Sequence, residues 1–222
     1  MSERRHRRIN NQWAVAREGL PFVAVGVVVT LFSIYVDLLP LAVLTGILSA
    51  FTIYFFRDPE RQSDAPEKTV LAPADGKVLG IQYLDGTSNL LGKPAVKVSV
   101  FMSIFDVHVN RVPASGKVSK ITYHMGRFFS ANRDKASEQN EHNRIALETK
   151  DGERIVFVQI AGLVARRIAC WIKEGDDVRA GQRFGLIRFG SRVDLYLPYQ
   201  TRIIAVASQK VKAGKTILGY LS

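Results

Sequence analysis

Between Gly19 and Phe56 the chain carries a single charged residue, Asp37. No other feature restricts the fold so strongly. Asp37 divides the stretch into Leu20–Val36 and Leu38–Phe56, with Pro40 beside the break. At 1.5 Å rise per residue, each arm as a helix reaches roughly 25–29 Å, close to the hydrocarbon thickness of a bilayer. Core helices of globular proteins show a polar stripe and these arms show none, which favours a membrane hairpin over its alternative, a buried helical pair. Arg4, Arg5, Arg7, Arg8 and Arg17 precede the pair, Arg57 and Arg61 follow it, and the turn has no basic residue. This asymmetry predicts that both ends lie on the cytoplasmic side. A cleaved signal peptide fits poorly, because a second apolar arm follows at once and no small-x-small site separates the two. Residues 1–56 are therefore expected to be a basic N-terminus and an apolar helical hairpin. It either spans the cell membrane or dips into its cytoplasmic face.

Residues 57–222 read differently. Of the chain's formal charge of +11, +9 lies here. Such a balance points to an anionic partner, either nucleic acid or acidic lipid headgroups. With 47% hydrophobic residues overall, the chain is not disordered. A lone Cys170 excludes an intrachain disulfide framework. Short β-branched runs at 97–101, 154–158 and 201–206 are separated by Asp75-Gly76, Asp85-Gly86 and Asp151-Gly152, pairs suited to turns. Val178-Arg179-Ala180-Gly181 is echoed by Val211-Lys212-Ala213-Gly214, a turn type common in compact barrel-sandwich folds. Residues 130–144 are polar and aperiodic and read as a long loop. The expected fold is mainly β (α+β): a compact barrel- or sandwich-like domain over 57–222, behind the hairpin.

Several chemistries lack their residues. His6, His108, His124 and His142 have no i, i+4 pairing and no companion cysteines, so no metal site is expected. There is no phosphate-binding Gly-rich loop, and Phe189-Gly190-Ser191-Arg192-Val193 is not a serine-hydrolase elbow. Gly190-Ser191 is nonetheless suggestive. Glycine lacks a Cβ, so the serine Oγ can reach the preceding carbonyl for an N→O acyl shift. Taken alone, Gly-Ser is more often a simple turn or bulge.

Other segments change that balance. Phe55-Phe56-Arg57-Asp58-Pro59-Glu60-Arg61 closes the hairpin, and Ala72-Pro73-Ala74-Asp75-Gly76-Lys77-Val78 follows. Phe101-Met102-Ser103-Ile104-Phe105-Asp106-Val107-His108-Val109-Asn110-Arg111 comes next, then Arg188-Phe189-Gly190-Ser191-Arg192-Val193-Asp194. In this order the set closely resembles the phosphatidylserine decarboxylase family in its short, single-domain proenzyme form. The stretch from Phe129 to Glu141 is similar to that family too.

The resemblance implies a self-processing, pyruvoyl-dependent lyase. The backbone would break between Gly190 and Ser191, giving a large chain 1–190 and a small chain 191–222 that form a heterodimer. Ser191 would become the covalent pyruvoyl cofactor and form a Schiff base with the amine of phosphatidylserine, which would lose CO₂ to leave phosphatidylethanolamine. His108 is the expected proton-transfer residue and Asp75 the expected orienting carboxylate. Longer bacterial members carry a second histidine three residues after the first. This chain has Arg111 there, which leaves the self-cleavage base open. Arg111, Arg57 and His142 are the expected substrate contacts, with Arg61, Arg166 and Arg167 as further cations for lipid phosphate or carboxylate. Such a substrate accounts for the basic charge without nucleic acid, for which no reader motif is present. The rival reading is a membrane-anchored β-rich binding or scaffold module without catalysis.

Overall fold

The computed structural model describes residues 9–11, 13–63, 65–86, 89–126, 139–162, 167–188 and 191–222. The apolar stretch forms two antiparallel helices, α1 (Leu20–Tyr35) and α2 (Leu39–Phe55). Pro21 and Pro40 lie in their first turns, where a missing N–H costs nothing. Asp37 between them takes a left-handed backbone conformation, φ 57°. With the 3-10 turn Arg17–Gly19, the first helical segment runs 19 residues, long and apolar enough to cross a membrane.

The hairpin is packed inside out. Ser33, Ala42 and Ser49 are buried between the helices, while Val25, Val28, Leu31, Phe32, Val43 and Ile47 point outward. A Cβ on Gly26 would lie 2.3 Å from the Ser49 Oγ, so any larger residue would have to turn that hydroxyl aside. The Thr30 and Thr45 hydroxyls meet across the interface at 3.0 Å. The Ser33 and Ser49 hydroxyls donate to backbone carbonyls four residues earlier in their own helices. Small and hydroxylated residues inside, with large apolar residues outside, is the pattern of helices solvated by lipid.

The strands are β1 (Thr69–Leu71), β2 (Gly76–Leu84), β3 (Ala95–Met102), β4 (Val109–Arg111), β5 (Gly116–His124), β6 (His142–Glu148) and β7 (Arg154–Ala161), then β8 (Ile168–Cys170), β9 (Asp177–Val178), β10 (Arg183–Ile187), β11 (Ser191–Pro198), β12 (Arg202–Ile203), β13 (Lys210–Val211) and β14 (Ile217–Tyr220). An eight-stranded sheet in the order β13-β2-β3-β11-β7-β6-β5-β9 curls into a half-barrel. Two three-stranded sheets, β1-β14-β12 and β4-β10-β8, accompany it. Every strand pairing is antiparallel among the described residues. Strand alternation sends Val98, Val100, Ile145, Phe157, Val193 and Leu195 into the main core. Ala146, Val158, Ile160 and Tyr196 face the other side, where Leu91 covers them.

The mainly β expectation holds, and both predicted helical arms are present within two residues of their expected ends. The two Val-x-Ala-Gly turns meet, with a Cβ on Gly214 reaching within 3.2 Å of the Gly181 Cα. Three local readings differ. The expected 130–144 loop ends earlier, because β6 already begins at His142, where alternating partners on β5 and β7 outweigh the polar composition. Of 201–206 only Arg202–Ile203 is strand. Ser191, where Gly-Ser taken alone suggests a turn or bulge, is the first residue of β11.

The hairpin base is clamped to the β-rich part. Ala16 N donates to the Phe56 carbonyl at 2.7 Å and Asn11 Nδ2 to Asp58 at 2.9 Å. Trp171 Nε1 donates to Glu18 at 3.1 Å. Ala16, Phe55 and Phe56 share a cluster with Val107, Val109, Trp171 and Leu186.

Candidate active site

Ser191 opens the middle strand of the large sheet, in register with Met102 on β3 and Ala161 on β7. Its neighbours on both sides fix its Cα, and the residue is fully buried. Among the described residues the hydroxyl donates to the Met102 sulfur at 3.8 Å. Gly190, the other half of the expected cleavage pair, lies outside the described residues, as do Arg166 and the family-like stretch 129–138.

The Met102 sulfur is shared. Asn110 Nδ2 also approaches it, at 3.5 Å, and Gln159 Nε2 donates to Asn110 Oδ1 at 2.9 Å. Asn143 Nδ2 donates to Gln159 Oε1 at 3.1 Å. These three amides are completely or almost completely buried, Asn143 and Gln159 on the core face of the large sheet and Asn110 on β4 of a smaller one. Buried amides are retained only when their hydrogen bonds are made, and here they form a continuous uncharged wall ending at Ser191. Sequence reasoning missed all three. Their one signal was a polar residue at the inward phase of an apolar strand, as at Gln159 in Val158-Gln159-Ile160.

His108 precedes β4 and is fully buried, its ring 4.1 Å from that of Phe55 at the end of α2. Nδ1 lies 3.0 Å from the Asp106 carbonyl. A carbonyl only accepts, so in the neutral ring Nδ1 carries the proton and Nε2 keeps its lone pair. Nε2 is buried without a hydrogen-bond partner among the described residues. Burial pulls the imidazole pKa down to about 4, against the opposing pull of the Asp106 carbonyl and the carboxylates of Asp106 and Asp75, with the Arg57 charge adding to the fall. The ring is therefore neutral at pH 7, with a proton-accepting nitrogen in a dry setting.

Asp75 sits one residue before β2, whose first residue, Gly76, crosses β3 so closely that a Cβ would fall 1.9 Å from the Phe101 carbonyl oxygen. Gly76 also has φ 143°, so glycine is required there on both counts. The carboxylate is held by Arg61 through two bonds, Nη1 to Oδ1 at 2.5 Å and Nη2 to Oδ2 at 2.8 Å, and by Ala213 N at 2.7 Å. Arg61 is thus committed to Asp75 rather than displayed to a ligand.

The remaining expected residues are spread out. Arg111 donates to the carbonyls of Pro59, Arg61 and Gly181 and sits 3.9 Å from Asp58, so it braces the segment leaving the hairpin. Burial and the neighbouring Arg183 draw its pKa down to about 10, which leaves it charged at neutral pH. Arg57 donates to the carbonyls of Tyr54 and Phe105 and lies over the Tyr54 ring. His142 pairs with Ile160, itself opposite Arg192, so it belongs to the outer face of the sheet, two strands from Ser191. Its ring stacks on His124 at 4.7 Å. Met102 gathers the neighbourhood of three expected residues: Ser191 is its strand partner, Gly76 after Asp75 packs against its Cα, and Asn110, two residues after His108, reaches its sulfur. His142 lies on the opposite face of the sheet.

Comparisons with known proteins supply the family. A sequence model of the phosphatidylserine decarboxylase family matches residues 48–219. The chain belongs to the phosphatidylserine decarboxylase family. A phosphatidylserine decarboxylase proenzyme of Syntrophus aciditrophicus is 52% identical, over 92% of this chain and 96% of its own length. One from Desulfotalea psychrophila is 47% identical, covering 95% and 98% of the two chains. One from Magnetococcus marinus is 46% identical, covering 93% and 95%. The match to the decarboxylase family therefore includes the hairpin as well as the β-rich part.

Residue 191 fits the pyruvoyl group that this family implies. A neutral ketone-type carbonyl needs a dry pocket with hydrogen-bonding but uncharged walls. The amide ladder and the Met102 sulfur supply such walls around a side chain with no solvent exposure.

Proposed function

We propose that this chain is a proenzyme that cuts itself between Gly190 and Ser191 and then converts phosphatidylserine to phosphatidylethanolamine and CO₂ at the cytoplasmic face of the membrane. The observation that carries this reading is Ser191 itself, a buried serine at the start of a central strand, whose strand partner Met102 is also met by Asn110, two residues after the neutral His108, and by Gly76, the residue after Asp75.

Self-cleavage begins when Ser191 Oγ bonds to the Gly190 carbonyl carbon and the peptide C–N bond breaks, the hydroxyl proton passing to the nitrogen, to leave an ester and a free amine on residue 191. Loss of the Cα proton with breakage of the Cβ–Oγ bond then frees the Gly190 carboxylate and leaves dehydroalanine at 191, and hydrolysis of its imine tautomer by one water releases ammonia and leaves the ketone. Register pairing with Met102 and Ala161 holds the Ser191 Cα still during this exchange. The small chain 191–222 would keep β11, which pairs eight residues with β3 and six with β7, so the two products stay together as a heterodimer. A pyruvoyl carbonyl at residue 191 supplies the electron sink for decarboxylation.

His108 Nε2 is the atom we assign to proton transfer at the reacting carbon. Its tautomer is fixed by the Asp106 carbonyl, and burial keeps it unprotonated until needed. Asp75, immobilised by Arg61, fixes the negative field on that imidazole from the side of β2. The buried amides keep water from the site while leaving no charge to compete with the substrate. Arg57 stands at the hairpin exit, where an anionic headgroup would arrive.

Intact-mass analysis of the purified protein under denaturing conditions tests this. Two chains matching 1–190 and 191–222 are expected, the small one lighter than its sequence by one ammonia. Ser191→Ala should give one species at 24.7 kDa and no CO₂ release from phosphatidylserine vesicles. An uncleaved Ser191→Ala protein that still decarboxylates would overturn the mechanism.

A further inference from the structure

The short turn between β3 and β4 presents two large apolar side chains, Ile104 and Phe105, which are 41% and 62% exposed. Isolated exposed apolar residues are ordinary on any protein surface. These two are not isolated. The Phe105 ring meets the Phe51 ring edge-on at 6.5 Å. Phe51 lies four residues before the end of α2, about 6 Å along the helix axis inside the apolar segment. Phe105 therefore sits at a depth where α2 shows Ile47, Leu48 and Tyr54 to its surroundings.

The turn is held there. The Phe105 carbonyl accepts from Tyr54 Oη at 3.1 Å and from Arg57 Nη2 at 2.7 Å. Tyrosine and arginine at the end of an apolar helix mark the headgroup level of a bilayer. Within the turn, Asp106 Oδ2 accepts from Ser103 N at 2.8 Å and from Ser103 Oγ at 2.7 Å, giving a stiff, closed shape. The far side of that same turn carries the Asp106 carbonyl that orients His108.

We propose that the Ser103–Asp106 turn is a third membrane contact beside the two helices, inserting Ile104 and Phe105 into the outer acyl layer of the bilayer. The occupant is lipid because the patch is continuous with the outward apolar face of α2. The contact couples the membrane surface to His108 through one rigid turn, so that the imidazole is held in place when the protein is seated on lipid. The membrane contact stands on geometry alone, and only its effect on turnover rests on the decarboxylase reading.

The test uses the full chain in phosphatidylcholine–phosphatidylserine vesicles. Phe105→Trp, after subtraction of the wild-type emission, should add blue-shifted fluorescence quenched by lipids brominated near the headgroup end of the acyl chain. Emission quenched by aqueous iodide, or shielded from both quenchers as in a protein–protein contact, would overturn the proposal. In a second arm, Ile104→Ser combined with Phe105→Ser should lower the ratio of vesicle activity to activity on a water-dispersed short-chain phosphatidylserine by about tenfold. An equal loss on both substrates would mean a merely structural role. If the wild type shows no decarboxylation at all, the decarboxylase reading fails, while the fluorescence arm still decides the membrane contact.

Discussion

The two parts of this molecule are packed by opposite rules. In the β half-barrel, Val98, Val100, Phe157, Val193 and Leu195 point inward and are fully buried. In the hairpin, Ser33, Ser49 and Ala42 are inside, and the residues turned outward are valines, leucines and phenylalanines. Water drives apolar groups together in the first case. In lipid that drive vanishes, and close backbone approach with paired hydroxyls remains. The two packings are those that the proposed membrane seat requires of one chain in two solvents, and His108 lies against Phe55 where the two parts meet.

Core truncation should separate the two rules most strongly. Phe157→Ala should cost about 3–5 kcal/mol of stability, because a fully buried ring leaves a cavity. Phe32→Ala, on the outward face of α1, should leave the denaturation midpoint of detergent-solubilised protein almost unchanged. Equal losses would mean that the hairpin is a buried helical pair after all.

The second comparison uses pH at the junction. His108 has its pKa lowered by burial from 6.5 to about 4, so the folded state resists a proton that the unfolded chain accepts. The stability contributed by keeping it neutral is complete above pH 6.5 and is lost as pH falls toward 4. The loss is about 3 kcal/mol. His108→Phe removes the titrating group, so the gap between wild type and variant should shift by that amount between pH 7 and pH 4 in thermal melts. A pH-independent gap would show that the ring is solvated.

A polar scan gives a smaller and more local contrast. Leu31→Asp places a carboxylate on the lipid face of α1 and should weaken membrane retention by about 2.5–3.5 kcal/mol, read as release into the supernatant on vesicle flotation. Val206→Asp, similarly exposed on the β-rich part, should change stability by no more than about 0.5 kcal/mol.

Much of this protein was legible in its sequence. An apolar run broken once by Asp37 reads as two helices, because local features, its length and its lack of charge, fix them without help from distant residues. The strands at 97–101 and 154–158 were visible in the same local way, as short β-branched runs. The ordered motifs around Asp75, His108 and Gly190-Ser191 identified the family, since short motifs carry their chemistry in residue type and spacing.

Distance in the chain hid the rest. Nothing near Arg61 or Arg111 in sequence indicates that one clamps Asp75 while the other braces three carbonyls. Those roles follow from side chains meeting across 14 to 70 residues. His142 looked like a site residue by its position in a family-like segment, yet sheet register turned it to the opposite face from Ser191, because neighbouring residues of a strand point to opposite sides. The amide ladder of Asn143, Gln159 and Asn110 exists only because three strands bring those residues together. Local sequence thus determined the elements and the reactive groups. The tertiary fold alone decided which groups share a dry, hydrogen-bonded interior, since burial and register are properties of the assembled sheet.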